Sequence, residues 1–187
     1  MAGIMHDIGK VKIPDSILTK PEALNNAEWK VMQRHPAYGH EILDSAGDIE
    51  EEIKVAVLQH HERLDRGGYP LSPSADKISL YSRIISVADS FDAMTSERVY
   101  RKSFSIFKAS KELMADALAG KLDVKIVIPF VNYVLDMSPG HKVRLNTGKM
   151  AEVILPNKAE PDRPLVQAQG EFINLEKARN ILVEDFD

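Results

Sequence analysis

His60-His61-Glu62-Arg63-Leu64-Asp65-Arg66-Gly67-Gly68-Tyr69-Pro70 is the stretch around which the chain is organised. It gathers imidazoles, carboxylates, guanidinium groups and a phenol, then closes on Gly67, Gly68 and Pro70. Such a set is costly to bury in a core and useful at a site. Neighbouring residues project about 100° apart on a helix. His60 and His61 therefore serve one site only if it is broad or lies across a helix end, and a cluster of two metal ions is broad enough.

On the upstream side, a helix from about Ile49 carries Ile53, Val55, Ala56, Val57 and Leu58 into His60. The acidic run Asp48 to Glu52 stands at its start, where the helix dipole favours negative charge. Downstream, a loop through Pro73 leads to a helix over Ile78 to Met94, with an apolar face of Ile78, Ile84, Ile85, Val87, Ala88 and Phe91. Asp89 and Asp92 fall within that face. A carboxylate among apolar residues needs a metal or hydrogen bonds from a neighbouring loop. Asp92, beside Ala93 and Thr95, better suits the structural role.

Nearer the start, Ile4, Met5 and Ile8 surround His6-Asp7 at helical spacing, with Gly9 as the stop and Asp7 three residues before Lys10. By itself this is equally well a capped helix end with a solvated ion pair. Pro14 to Leu18 reads as a short helix before a turn at Pro21. Asn26 caps a helix through Trp29, Val31 and Met32 that ends at His35, because Pro36 disfavours helical geometry in the residue before it. His35 is then at a helix boundary where its ring can face a cleft, although a lone histidine there is more often structural. A further helical piece covers Tyr38 to Ala46, with His40 on its outer side.

Glu97 to Lys102 forms a basic connector, of the kind usually explained as a solvated helix start. Two helices follow over Phe104 to Leu118 and Val124 to Met137, the second nearly apolar on all sides and so expected to be buried. At Ser138-Pro139-Gly140 the pattern changes. Lys142 to Leu145 and Met150 to Leu155, joined by Asn146-Thr147-Gly148, read as a hairpin, and Leu165 to Ala168 and Phe172 to Leu175 as two further strands. The expected architecture is mainly α: a helical bundle over residues 1–137, followed by a small β-rich module over 138–187 that carries no chemical constellation.

Composition narrows the chemistry. None of the 187 residues is cysteine, which excludes disulfides and thiolate metal sites and leaves imidazole and carboxylate as ligands. A net charge of -4, from 24 basic and 28 acidic residues, gives no case for binding long nucleic acid, while a small anion needs only local cations. No apolar run reaches the roughly 20 residues of a membrane span and no signal peptide is apparent, so a cytoplasmic location is expected.

Together, His6, Asp7, His35, His60, His61 and Asp89 make a nitrogen and oxygen ligand set spread over four expected helices. Helical bundles build metal sites in this way. Paired divalent metals acidify a water and polarise a phosphoryl oxygen, which makes phosphoester hydrolysis the natural reaction.

These residues also carry a family resemblance. His6-Asp7-Ile8-Gly9-Lys10, His60-His61-Glu62 and Gly68-Tyr69-Pro70 resemble the HD-GYP subgroup of the HD-domain metal-dependent phosphohydrolases. So do Lys20-Pro21, His35-Pro36, Ala88 to Thr95 and Arg98-Val99-Tyr100-Arg101, in the same order. The likeness covers roughly residues 1–135, and the β module is similar to the tail found after some such domains. It implies an HD-domain helical bundle around two or three metal ions, often iron or manganese, hydrolysing cyclic di-GMP to linear pGpG or GMP. It further implies that Asp7 bridges metals, that His6, His35, His60, His61 and Asp89 are terminal ligands, and that Lys10 steadies the scissile phosphate. Tyr69 is implied to lie near the substrate, and Arg98 and Arg101 to contact its phosphates or guanine edges.

Three departures from the family pattern stand out. The helix that usually precedes the HD pair and supplies another ligand is not in the chain, so the ion held by His6, Asp7 and Asp89 is expected to lose a ligand, while that held by Asp7, His35 and His60 keeps its set. Arg66 stands where glycine is more usual. Val99 and Arg101 replace the more usual proline and lysine. The alternative expectation is a weak or inactive HD-GYP-like module that binds the nucleotide, or docks a signalling protein through the GYP loop. An apolar flank left without its first helix would favour a homodimer.

Overall fold

One helix start in this chain is fixed by reciprocal side-chain caps. In the computed structural model, which describes residues 1–96 and 103–184, the cap of helix α3 (Asn26–Met32) is Asn25, one residue before the position expected. The Asn25 side chain accepts from the Ala27 and Glu28 amides, and Glu28 returns a bond to the Asn25 amide, a reciprocal capping box. Helix α4 (His35–Ser45) shows a second difference. His35 opens this helix instead of closing the previous one, with Pro36 in its first turn. Proline is tolerated there because first-turn N–H groups have no partner within the helix.

One compact unit comprises Met1–Asp89 with Ala119–Asp123. It holds α1 (Ala2–Met5), a 3-10 turn over Ile8–Lys12, α2 (Asp15–Leu18), α3, α4, α5 (Glu51–Gln59) and the first part of α6 (Leu80–Thr95). The 3-10 turn packs on α4, and α4 packs on α5. Gly9 makes the first approach possible: a Cβ there would stand 1.9 Å from the His35 carbonyl oxygen and 2.4 Å from the Gly39 nitrogen. Ile13, Leu43, Ala56, Val57, Ile78, Ile85, Val87 and Leu122 are buried in this unit. The buried Gln59 side chain donates to the Lys77 carbonyl and accepts from the Ser79 amide, tying the long loop back to the end of α5.

A second compact unit comprises Ser90–Leu118 with Val124–Asp187. Helices α7 (Ile106–Leu118) and α8 (Val124–Asp136) pack together, burying Phe107, Leu113, Val127, Val131 and Leu135. The expectation of an all-round buried α8 is corrected. Its buried stripe is Val127, Val131 and Leu135, four residues apart, while Ile128 and Tyr133 are exposed. Apolar composition shows which residues tolerate burial, not which sides have a neighbour.

Strands β1 (Lys142–Arg144), β2 (Met150–Leu155), β3 (Leu165–Ala168) and β4 (Glu171–Asn174) form an antiparallel sheet in sequential order. Val143 pairs with Ala151 and Val153 with Val166, all four buried. Gln169 and Gly170 both take positive φ, 54° and 86°, as a two-residue type I′ hairpin turn requires. The chain is thus mainly α with a small C-terminal β module, as expected. Among the described residues no helix is long and apolar enough to cross a membrane.

Candidate metal centre

Three ring nitrogens are committed by the local backbone before any tertiary contact is considered. His6 Nδ1 lies 2.8 Å from the Gly3 carbonyl oxygen, His35 Nδ1 2.8 Å from that of Met32, and His60 Nδ1 2.7 Å from that of Val57. A carbonyl only accepts, so each Nδ1 carries a hydrogen, and the neutral form of each ring has its lone pair at Nε2. Each contact spans three residues. A histidine at or near a helix end thereby fixes its own tautomer and leaves the far nitrogen free to bind a cation.

Those lone pairs converge on Asp7. His35 Nε2 is 3.3 Å and His60 Nε2 3.9 Å from Asp7 Oδ1, and the two nitrogens are 3.3 Å apart. His35 and His60 are buried, and Asp7 Oδ1 is buried without a hydrogen-bond partner. In the neutral forms of the two rings three electron pairs face one another, an arrangement that a cation between them, a proton or a metal ion, satisfies. One ligand atom each from Asp7, His35, His60 and His61 lies within 4.8 Å of the others. Imidazole and carboxylate suit zinc, iron or manganese, with bonds of about 2.1 Å, so the residues present fit a divalent metal.

The other Asp7 oxygen looks the opposite way. Oδ2 is 3.4 Å from His6 Nε2 and 2.5 Å from the Lys10 ammonium. Asp89 joins this flank, with Oδ1 3.7 Å from His6 Nε2 and Oδ2 3.6 Å from His61 Nδ1. Asp7 therefore presents one oxygen to each of two donor clusters. His61 reaches the same region as His60 because α5 ends at Gln59 and His60 caps it, which releases His61 from helical geometry. The two rings lie 4.1 Å apart between centroids.

The charge tendencies of Asp7, Asp89, His60 and His61 match ligand chemistry. Burial opposes ionisation of Asp7, but His35 and the Lys10 ammonium outweigh it and hold the carboxyl well below the usual range. Burial likewise opposes ionisation of Asp89, and His6 and His61 overcome it, so that carboxyl is also lowered. Burial pushes His60 down to about 4 and lowers His61, assisted by the neighbouring imidazoles. The Asp89 carboxylate beside His6 raises that ring against its partial burial. Neutral buried imidazoles and ionised carboxylates are the forms that bind metal.

The GYP loop is folded against this cluster. At Gly68 a Cβ would stand 2.4 Å from the His61 carbonyl oxygen and 2.5 Å from the Arg63 nitrogen, so only glycine allows the return. Tyr69 then donates its amide to the His61 carbonyl at 3.3 Å, and its ring lies 4.7 Å from that of His61. Burial raises the Tyr69 phenol above its ordinary pKa, keeping it a neutral hydroxyl.

Arg66 takes φ +65° in the same loop, and its side chain is exposed. The left-handed conformation costs a non-glycine residue about 1–2 kcal/mol, partly offset by the lower unfolded-state entropy of a side-chain-bearing residue. Arg66→Gly is therefore expected to stabilise the protein by about 0.5–1 kcal/mol. A urea midpoint that falls on substitution would contradict this.

Sequence position alone does not mark Glu62 as a site residue. It is buried, and its carboxylate accepts from the Leu71 amide at 2.6 Å and the Ser72 amide at 3.1 Å. It clamps the far side of the loop that carries Tyr69. Glu62→Ala leaves both amides without their acceptor and is expected to cost about 2–3 kcal/mol. Faster hydrogen exchange at Leu71 and Ser72 is the direct measure, and wild-type protection at both would argue against the clamp. The one sequence signal was an acid wedged between a histidine pair and a glycine-rich turn. Arg98 and Arg101 lie outside the described residues.

Comparison with known proteins places the chain in a family. The HD domain family matches residues 1–126. A cyclic di-GMP phosphodiesterase of Pseudomonas aeruginosa is 36% identical over 154 residues, covering 82% of this chain and 37% of that protein. A 3'3'-cGAMP-specific phosphodiesterase of Vibrio cholerae is 44% identical over 58% of this chain and 23% of its own length. The cyclic di-GMP phosphodiesterase response regulator RpfG of Xanthomonas campestris is 41% identical over 62% of this chain and 31% of its own. The chain thus spans less than half the length of these curated relatives. The family match over residues 1–126, the motif series and these relatives establish that the chain belongs to the HD-domain family, in its HD-GYP subgroup.

Proposed function

We propose that this chain is a metal-dependent phosphodiesterase that hydrolyses cyclic di-GMP to linear pGpG or GMP. The observation that carries the reading is the convergence of His35 Nε2 and His60 Nε2 on Asp7 Oδ1, which is buried without a hydrogen-bond partner. Relatives named for cleavage of cyclic dinucleotides support the substrate class. When bound, divalent ions lower the pKa of a coordinated water and neutralise charge on a phosphoryl group.

In this reading Asp7, His35, His60 and His6 would hold the divalent ions, Asp7 turning one oxygen toward His35 and His60 and the other toward His6. His61 and Asp89 complete the donors, and iron or manganese suits the set. Lys10, 2.5 Å from Asp7 Oδ2, holds its ammonium where a scissile phosphate would accept from it. Tyr69 walls the cleft beside His61, and Arg98 and Arg101 contact phosphate or guanine, roles that rest on the motif alone. Residues 1–137 carry the reaction and 138–187 form an appended module. A cysteine-free composition supports action in the cytoplasm. The exposed apolar side chains of Met1, Ile4 and Val11 support a homodimer.

Metal content per chain, measured on protein purified without chelator, tests the reading when paired with cyclic di-GMP turnover on the same sample. Two or more ions with turnover are expected. Little metal, and no turnover after addition of manganese or ferrous iron, would replace the enzyme with a nucleotide-binding or partner-docking module.

A further inference from the structure

We propose that Trp29 is the stacking face for a purine base of the substrate, an inference that rests on the phosphodiesterase reading and deepens it. Trp29 is the single tryptophan of the chain and remains 45% exposed. Its ring meets Tyr69 edge to face, with centroids 6.0 Å apart and planes at 79°. Tyr69 in turn lies 4.7 Å from His61 and 6.4 Å from His35. A continuous aromatic wall therefore runs from the candidate metal ligands through Tyr69 to Trp29, which ends it at solvent.

The local structure holds this exposed ring in place. Helix α3 is short, yet its start is pinned by the Asn25 and Glu28 capping box, and Lys20 reaches Glu28 at 2.7 Å. An indole used only for packing would have its faces covered, whereas this one keeps nearly half its surface open beside the site. A cyclic dinucleotide whose phosphate accepts from Lys10 beside Asp7 projects its bases outward by one sugar. Exposed aromatic rings lining such an approach are the usual platform for a base, because every base offers a π face.

The test uses the metal-loaded full chain with two substrates, cyclic di-GMP and its abasic analogue, the cyclic bis(3'-5') ribose phosphate, the second having no aromatic ring. Trp29→Ala is expected to raise KM for cyclic di-GMP by about ten-fold with little change in kcat, and to leave hydrolysis of the abasic diester and metal content unaltered. Trp29→Phe should recover most of the affinity. A hydrolysis-resistant phosphorothioate of cyclic di-GMP should quench the emission of wild-type protein, which reports Trp29 alone. An unchanged KM in Trp29→Ala, or an equal loss on both substrates, would overturn the stacking role. Wild-type protein that leaves cyclic di-GMP intact while its emission still responds to the analogue would instead remove the phosphodiesterase reading and keep the stacking site.

Discussion

Asp7→Asn should strip the protein of metal and lower cyclic di-GMP turnover by about 1,000-fold or more, equivalent to about 4 kcal/mol of transition-state stabilisation. The substitution keeps the shape of the side chain and changes what its two ends present. Asp7 Oδ1 faces His35 and His60, while Oδ2 faces His6 and Lys10. An amide has one oxygen and one NH2, so in either orientation one donor cluster receives hydrogens where it had an anionic ligand. A cation on that side loses a negative charge and meets a positive edge.

The same NH2 can donate to the bare Nε2 of His35 or of His6, so the metal-free protein should keep its urea midpoint while its metal content falls. Retention of metal with turnover within ten-fold of wild type would show that Asp7 is not the shared ligand.

Gly9→Ala should destabilise the fold by about 3 kcal/mol or more and cost metal affinity as well, at the upper end of what overpacking does. The added carbon would stand 1.9 Å from the His35 carbonyl oxygen, 2.4 Å from the Gly39 nitrogen and 3.0 Å from the Gly39 Cα. All three atoms are backbone, so no rotamer change relieves the clash, and the turn over residues 8–12 must move away from α4. Asp7 lies two residues before Gly9, and His35 opens α4. The same movement therefore lengthens the 3.3 Å approach of Asp7 Oδ1 to His35 Nε2. Gly3→Ala is the matched control, since nothing lies within 4 Å of a Cβ at that position. Denaturant unfolding of both variants checks the claim. Equal midpoints for the two would mean that the contact at Gly9 yields easily.

Much of the fold could be read from local pattern because the responsible forces act over a few residues. The helices over α5, α6 and α7 follow from apolar spacing, and the β1–β2 hairpin follows from alternation and from Gly148, which takes φ +78°. At position 66, where the resembled family more usually has glycine, Arg66 adopts the conformation glycine prefers. Where local reading missed, the competing choices were nearly equal at that range. Asn25 and Asn26 are both good caps, and the reciprocal bond from Glu28 selects Asn25. Pro36 ends a helix or begins one, and the chain direction at His35 decides which.

The candidate site divides along the same line. Residue chemistry alone marked His6, Asp7, His35, His60, His61 and Asp89, because imidazoles and carboxylates are rarely placed among apolar helix faces without a use. The free nitrogen of His6, His35 and His60 was also determined locally, each by a carbonyl three residues earlier, although only the structure makes that visible. What required tertiary structure was convergence. His35 and His60 are 25 residues apart in sequence and 3.3 Å apart at their Nε2 atoms, and Asp7 divides its two oxygens between clusters drawn from separate helices. The clamp by Glu62 and the aromatic wall from His61 through Tyr69 to Trp29 belong to the same class. No short-range pattern encodes such meetings, because they depend on how close the packed elements can come, and that distance is set by positions such as Gly9 and Gly68, where any added carbon would strike backbone.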